Sequence, residues 1–88
     1  MQKIITIYST RWCGDCRNAK LFLRRHNVLY SEIDIDRDEQ AERKVLEWSG
    51  GRRVIPTFAI YDEAPNASPG ILHNPRLHAL GDALGLKQ

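Results

Sequence analysis

Cysteine is nearly absent from this chain, with two residues in 88, Cys13 and Cys16, three positions apart. That count excludes a small secreted domain stapled by several bridges. Long apolar runs are missing too. No stretch approaches the roughly 20 residues that span a bilayer. The opening "MQKIITIYST" is interrupted by Thr6 and Tyr8, so a signal peptide is not expected. Charge of one sign is also lacking. Thirteen Lys and Arg against eleven Asp and Glu leave a net charge of +2, with the basic residues scattered, which argues against a nucleic-acid partner. The expectation is a cytoplasmic, monomeric protein with neither membrane nor nucleic acid among its partners. It forms one domain over residues 1–88, since a second core would leave both halves too small. In the cytosol a structural disulfide is disfavoured, so the two cysteines read as catalytic or metal-binding.

What is present is a regular alternation of strand and helix patterns. "KIITIY" is β-branched and aromatic over a strand's length. From Cys13 to His26 the period becomes helical, with Trp12, Cys16, Ala19 and Leu23 recurring, and Asn27 suits a left-handed stop. "YSEIDID" alternates again, with Ile33 and Ile35 on one face. Asp36 and Glu39 suggest a capping box for a second helix marked by Ala41, Val45 and Trp48, with Glu39 and Arg43 spaced to pair. Gly50-Gly51 ends it. "VIPTFAIY" predicts a third strand with Pro56 at its start, "DEAPNASPG" a loop, and "ILH" a short fourth strand. Asn74-Pro75 suits an N-cap and first turn, and Leu77, Leu80 and Leu84 a last helix. The order is β-α-β-α-β-β-α, an α/β fold with a mixed four-stranded sheet flanked by three helices.

The cysteines sit where the first strand gives way to the first helix. There the backbone N–H groups without intrahelical partners, and the positive end of the helix dipole, favour a thiolate. Cys13 lies at the helix start and Cys16 one turn inward, on the more buried side. Cys13 is expected to attack a disulfide and Cys16 to resolve the mixed disulfide that forms. The competing reading is half of a zinc site. No second cysteine pair exists, and His73 and His78 lie further along than the usual spacing of about 12–15 residues. Redox chemistry is therefore favoured.

Asp15, between the cysteines, is favoured by the dipole in a first helical turn. It also places a negative charge near the Cys13 thiolate, which would lift the thiol pKa, with Arg11 and Arg17 placed to offset it. Trp12 is positioned to shield one side of the site, or simply to pack. Trp48 reads as core. His26, His73 and His78 show no pairing with the cysteines. Ile55-Pro56 allows a cis bond, which would turn the Ile55 N–H and C=O outward to meet an extended substrate; a trans proline starting a strand is the commoner case.

"WCGDC" after "IYST", followed by "RRVIPTF", resembles the glutaredoxin branch of the thioredoxin fold over nearly the whole chain, and within it the mycoredoxin-like proteins. The resemblance implies that fold, a cis bond before Pro56, and thiol–disulfide exchange with Cys13 as nucleophile. It places Arg52 and Arg53 where the family holds the carboxylate of a thiol co-substrate; a solvated turn would suit the same residues. Three departures follow. Asp15 replaces an aromatic residue, and Thr10 replaces a common lysine, with Arg11 beside it as a substitute. "LHNPRLHAL" replaces a Gly-Gly and acidic pair, leaving the N–H groups of Arg76 and Leu77 at a helix start to meet an anion. The last piece is more like mycoredoxins. The expected substrate-binding set is thus Arg11, Trp12, Arg53, Ile55, Pro56, Arg76 and Leu77.

The function expected is a thiol–disulfide oxidoreductase acting on protein disulfides, or on mixed disulfides of a low-molecular-weight thiol such as mycothiol, glutathione or bacillithiol. That thiol is a co-substrate; no tightly bound cofactor or metal is expected. One alternative is a dedicated electron donor, reduced by a thioredoxin reductase and serving an enzyme such as ribonucleotide reductase. Another is a non-catalytic iron–sulfur or zinc module, with Cys13 ligating metal across a dimer.

Overall fold

A computed structural model describes residues 3–62 and 68–86. Residues 63–67, within the expected loop, lie outside the described residues. The elements are β1 (Ile4–Ser9), α1 (Gly14–Arg25), β2 (Ser31–Asp34), α2 (Glu39–Ser49), β3 (Thr57–Tyr61), β4 (Gly70–His73) and α3 (Leu77–Ala83). They follow the expected order. The sheet runs β2-β1-β3-β4, with β1 parallel to β2 and antiparallel to β3, and β3 antiparallel to β4. This is the thioredoxin-like arrangement of a mixed sheet with helices on both faces.

Strand alternation divides the core in two. Ile5 and Ile7 of β1 and Phe58 and Ile60 of β3 point to one face, where Ala19 and Leu23 of α1 and Leu80 of α3 cover them. Tyr8 and Ala59 point to the other face and meet Ile35, Ala41 and Val45, which brings in α2. Trp48 is half-buried and meets the Tyr8 ring edge-on, with centroids 5.5 Å apart. Two expected stripe positions turn outward. Trp12 is 87% exposed, because it precedes the first helical residue and the helical period does not govern it, and Leu77 is 40% exposed.

The helices correct three sequence expectations. α2 is capped by Asp38, whose carboxylate accepts from the Ala41 N–H at 3.0 Å. Asp36 is engaged elsewhere, in an ion pair with Arg53. The expected Glu39–Arg43 pair is not among the ion pairs of the described residues; α2 contributes Glu42 instead, also to Arg53. α3 has Arg76 at its N-cap with no side-chain capping bond, not Asn74. An N-cap needs extended backbone, whereas Asn74 has φ 41° in the left-handed region.

All three helices end alike. Val28 N–H bonds Leu23 C=O at 2.9 Å, Gly51 bonds Leu46 at 2.7 Å, and Leu86 bonds Gly81 at 2.8 Å. Each is the long bond of a Schellman motif around a left-handed residue, Asn27, Gly50 and Gly85 respectively. Gly50 stands at φ 74° with open space where a Cβ would go, so the cost of a side chain there is backbone strain alone. Gly50→Ala is expected to lower unfolding stability by about 1–2 kcal/mol, read as a lower urea midpoint at unchanged slope; an unchanged midpoint would contradict that account.

Candidate active site

β1 delivers the chain to the C-terminal end of the sheet, and Thr10–Trp12 turn it into α1. Cys13 is the N-cap residue of α1, with extended backbone at φ −90° and ψ 112°. Its sulfur accepts from the Cys16 N–H at 3.0 Å. That donor is one of the N–H groups a helix start leaves without an intrahelical partner, so the sulfur takes the place an N-cap oxygen would occupy. Cys13 is half-buried and Cys16 is 1% exposed. Their Cα atoms lie 5.2 Å apart and the two sulfurs are joined, a separation ordinary for a bridge. The sequence reading of an accessible first sulfur and a buried second one matches this arrangement.

The register brings the second element to the same end of the sheet. Tyr8 pairs with Thr57, so the turn after β1 and the segment entering β3 are neighbours there. Ile55-Pro56 is cis and Pro56 is buried. Ile55 packs on the cluster around Tyr8, whose phenol is pushed above its ordinary pKa by burial first, then by Tyr61 and Asp38. Thr57, fully buried, donates its hydroxyl proton to Val54 C=O at 2.8 Å. The contact of the same oxygen with His73 Nδ1, at 2.9 Å, is then one it accepts, which puts the imidazole proton on Nδ1.

Around this centre the expected binding residues fall into three places. Asp15, Asn18, Ala19, Asn74, Pro75, Arg76 and Leu77 line a groove of about 290 Å³ between the start of α1 and the loop before α3. Arg11 lies on a different cleft, of about 430 Å³, with Ser9, Thr10, Lys20, Glu32 and Asp34. There Lys20 foremost, with the buried Ser9 hydroxyl, holds the Glu32 carboxyl below its ordinary pKa against the effect of burial. Trp12 is largely exposed, with the Arg11 guanidinium 5.8 Å from its ring.

Arg53 is held by two carboxylates, Glu42 at 2.7 Å and Asp36, and Glu42 foremost raises its pKa. Arg52 is exposed, its N–H donating to Ser49 Oγ at 2.8 Å. These pairings anchor the segment that leads to Pro56.

One residue of the site was read in the sequence only as a helix cap. Asn74 donates its backbone N–H to Pro56 C=O at 2.7 Å and its side-chain amide to Asp15 at 3.3 Å. The partners are 18 and 59 positions away, and no local pattern signals either. Among the described residues no group of three or more His, Cys, Asp or Glu is placed to hold a metal ion. No helix among them is long and apolar enough to cross a membrane.

A Cys-x-x-Cys pair at a helix start, beside a cis-proline segment on this sheet, defines a thiol–disulfide oxidoreductase of the thioredoxin fold. Comparison makes the class specific: the glutaredoxin family model matches residues 5–64, and the chain belongs to that family. Mycoredoxin 1 of Corynebacterium glutamicum is 35% identical over 65 residues, covering 74% of this chain and 80% of that protein. Glutaredoxin 1 of Rickettsia felis is 37% identical over 57 residues, covering 64% of this chain and 56% of that one. Among solved structures, a mutant of a thioredoxin-like protein superposes with a TM-score of 0.76 at 25% identity, covering 94% of this chain and 96% of the other.

Proposed function

We propose that Cys13 is the nucleophile, Cys16 the resolving thiol, and a low-molecular-weight thiol other than glutathione the co-substrate. The observation that carries the roles is the Cys16 N–H aimed at the half-buried Cys13 sulfur while Cys16 itself is sealed from solvent. In the reduced protein the Cys13 thiolate attacks a mixed disulfide at the sulfur of the small thiol. The substrate leaves as a thiolate and is protonated, and the small thiol becomes bonded to Cys13. A second small thiol then attacks its partner sulfur, forming its own disulfide and regenerating Cys13. Alternatively Cys16 attacks Cys13, releases the small thiol and closes the internal bridge. Each route moves two electrons and leaves no atom unaccounted for.

Binding follows from the groups at the same end of the sheet. The Ile55 N–H and C=O meet an extended substrate beside Pro56. Arg76, with the N–H groups of Arg76 and Leu77, meets polar groups of the thiol in the groove it lines. Arg53 keeps its place as the anchor of the proline segment. Its charge is already matched by Asp36 and Glu42, so a carboxylate gains more from Arg11 or Arg76, which have no ion-pair partner among the described residues. Mycothiol is the first candidate, supported by the 35% identity to mycoredoxin 1. The proposal places this single domain, acting as a monomer, in the cytosol.

The test is turnover on mixed disulfides of mycothiol, glutathione and bacillithiol, each with its own thiol and reductase, for wild type and Cys16→Ser. Mycothiol substrates are expected to give the highest kcat/KM, and equal rates on glutathione would refute the preference. A second reading, direct reduction of protein disulfides with recycling by a thioredoxin reductase, is favoured by the exposure of Trp12 beside Cys13. NADPH consumption with that reductase and no small thiol present distinguishes it.

A further inference from the structure

We infer that Asn74 is a positioning residue that joins the two halves of the active site and controls where the Asp15 charge stands relative to Cys13. The inference rests on the proposed role of Cys13.

The ladder of β3 and β4 ends at the pair Thr57 and His73. Beyond it the chains stay attached by one more bond, from Asn74 N–H to Pro56 C=O at 2.7 Å. The His73 ring meets the Thr57 hydroxyl one residue earlier. The end of β4 therefore grips the proline segment by both main chain and side chain. From the same residue the side-chain amide reaches across 59 positions to Asp15, within the turn between Cys13 and Cys16. Asn74 thus contacts the nucleophile's turn with one group and the substrate-binding segment with another.

Its residue type follows from two demands. The backbone is left-handed at φ 41°, a region that glycine enters without strain and that asparagine tolerates better than most residues. The link to a carboxylate needs a side-chain donor, which glycine lacks and aspartate inverts. Asparagine satisfies both. The capping role an Asn-Pro pair usually suggests is not the one it performs, since α3 begins at Leu77 with no side-chain cap.

The consequence is electrostatic. Asp15 is the only charged residue of the Cys-Gly-Asp-Cys turn. Bound to Asn74, its carboxylate is held on the groove side, where Arg76 also lies. Released, it can approach the sulfur and oppose the thiolate.

The experiment uses Cys16→Ser protein, so that one thiol titrates, and follows thiolate absorbance with pH for Asn74→Gly and Asn74→Asp, each with Asp15 present and with Asp15→Asn. Asn74→Gly keeps the backbone and removes the donor. The thiolate fraction at neutral pH is expected to fall about two- to fivefold, the range of exposed charge interactions, and further in Asn74→Asp, where two carboxylates face each other. With Asp15→Asn, the Asn74→Gly change should no longer move the titration. A titration unmoved by either Asn74 variant overturns the inference. So does a shift of the same size with and without Asp15, which would mean that Asn74 acts only on general packing. The titration uses no substrate, so it stands apart from the separate question of whether Cys13 turns substrate over.

Discussion

Cys13→Ser is expected to reduce turnover to the uncatalysed rate on every disulfide substrate, whereas Cys16→Ser keeps turnover on mixed disulfides of the small thiol. The difference comes from what each sulfur can do. A thiolate is the attacking species, and an ordinary cysteine with a pKa of about 8.5 is only a few per cent ionised at neutral pH. At the N-cap the Cys13 sulfur accepts an N–H bond from Cys16 and stands at the positive end of α1, conditions that bring helix-start thiols to about 7 or below. A serine hydroxyl in the same place does not ionise in this range. Cys16 has the opposite setting, at 1% exposure, where it reaches only a partner already attached to Cys13. Intact mass spectrometry after one addition of mixed disulfide checks both halves. Cys16→Ser should gain the mass of one small thiol, less the hydrogen lost from Cys13, and release it when more thiol is added. Cys13→Ser should gain nothing. Persistent turnover in Cys13→Ser would sink the assignment, and a Cys16→Ser protein inactive on small mixed disulfides would exclude the route that needs one cysteine.

The legible part of this molecule was the part specified by neighbours in sequence. The strands announced themselves through β-branched runs, α1 and α2 through their buried stripes, and the cysteine pair through its place between a strand and a helix. Asn27 and Gly50-Gly51 marked helix ends correctly because a left-handed stop depends on one residue's backbone. What sequence reasoning misplaced depended on distant partners. Asp36 and Asp38 are equally good caps in isolation; Arg53, 17 positions from Asp36, draws that residue away. Asn74 reads as a cap until its left-handed backbone is seen, a conformation fixed where it bonds to Pro56 and reaches Asp15. Trp12 lies on the extrapolated helical stripe, but the turn before Gly14 breaks the period and leaves the ring in solvent. Arg53 was expected to meet a substrate carboxylate, and the protein's own carboxylates meet it first.

The site stands on a core small enough that one side chain carries a large share of its stability. Phe58 is fully buried in the cluster that holds Ile5 and Ile7 of β1, Ala19 and Leu23 of α1, and Leu80 of α3. It is cross-strand partner to both Ile7 and Leu72, and it follows Thr57 and Pro56 directly. Phe58→Ala removes the ring from the middle of this cluster and leaves a cavity. Lost transfer energy and the cavity together cost about 3–5 kcal/mol, against a total stability of about 5–15 kcal/mol for a domain. The expected result is a urea midpoint lowered by about a fifth or more, with unfolding still cooperative. Activity at low temperature should fall less than stability, because the cysteine turn is built on the β1–α1 junction and retains its own capping bond. Phe58→Leu, which keeps most of the volume, should recover the larger share of the loss. If Phe58→Ala shifted the midpoint no more than an exposed substitution such as Leu29→Ala, at a residue 89% exposed, the core would not be centred on β3. The sheet face beneath α1 and α3 would then need another explanation for its stability.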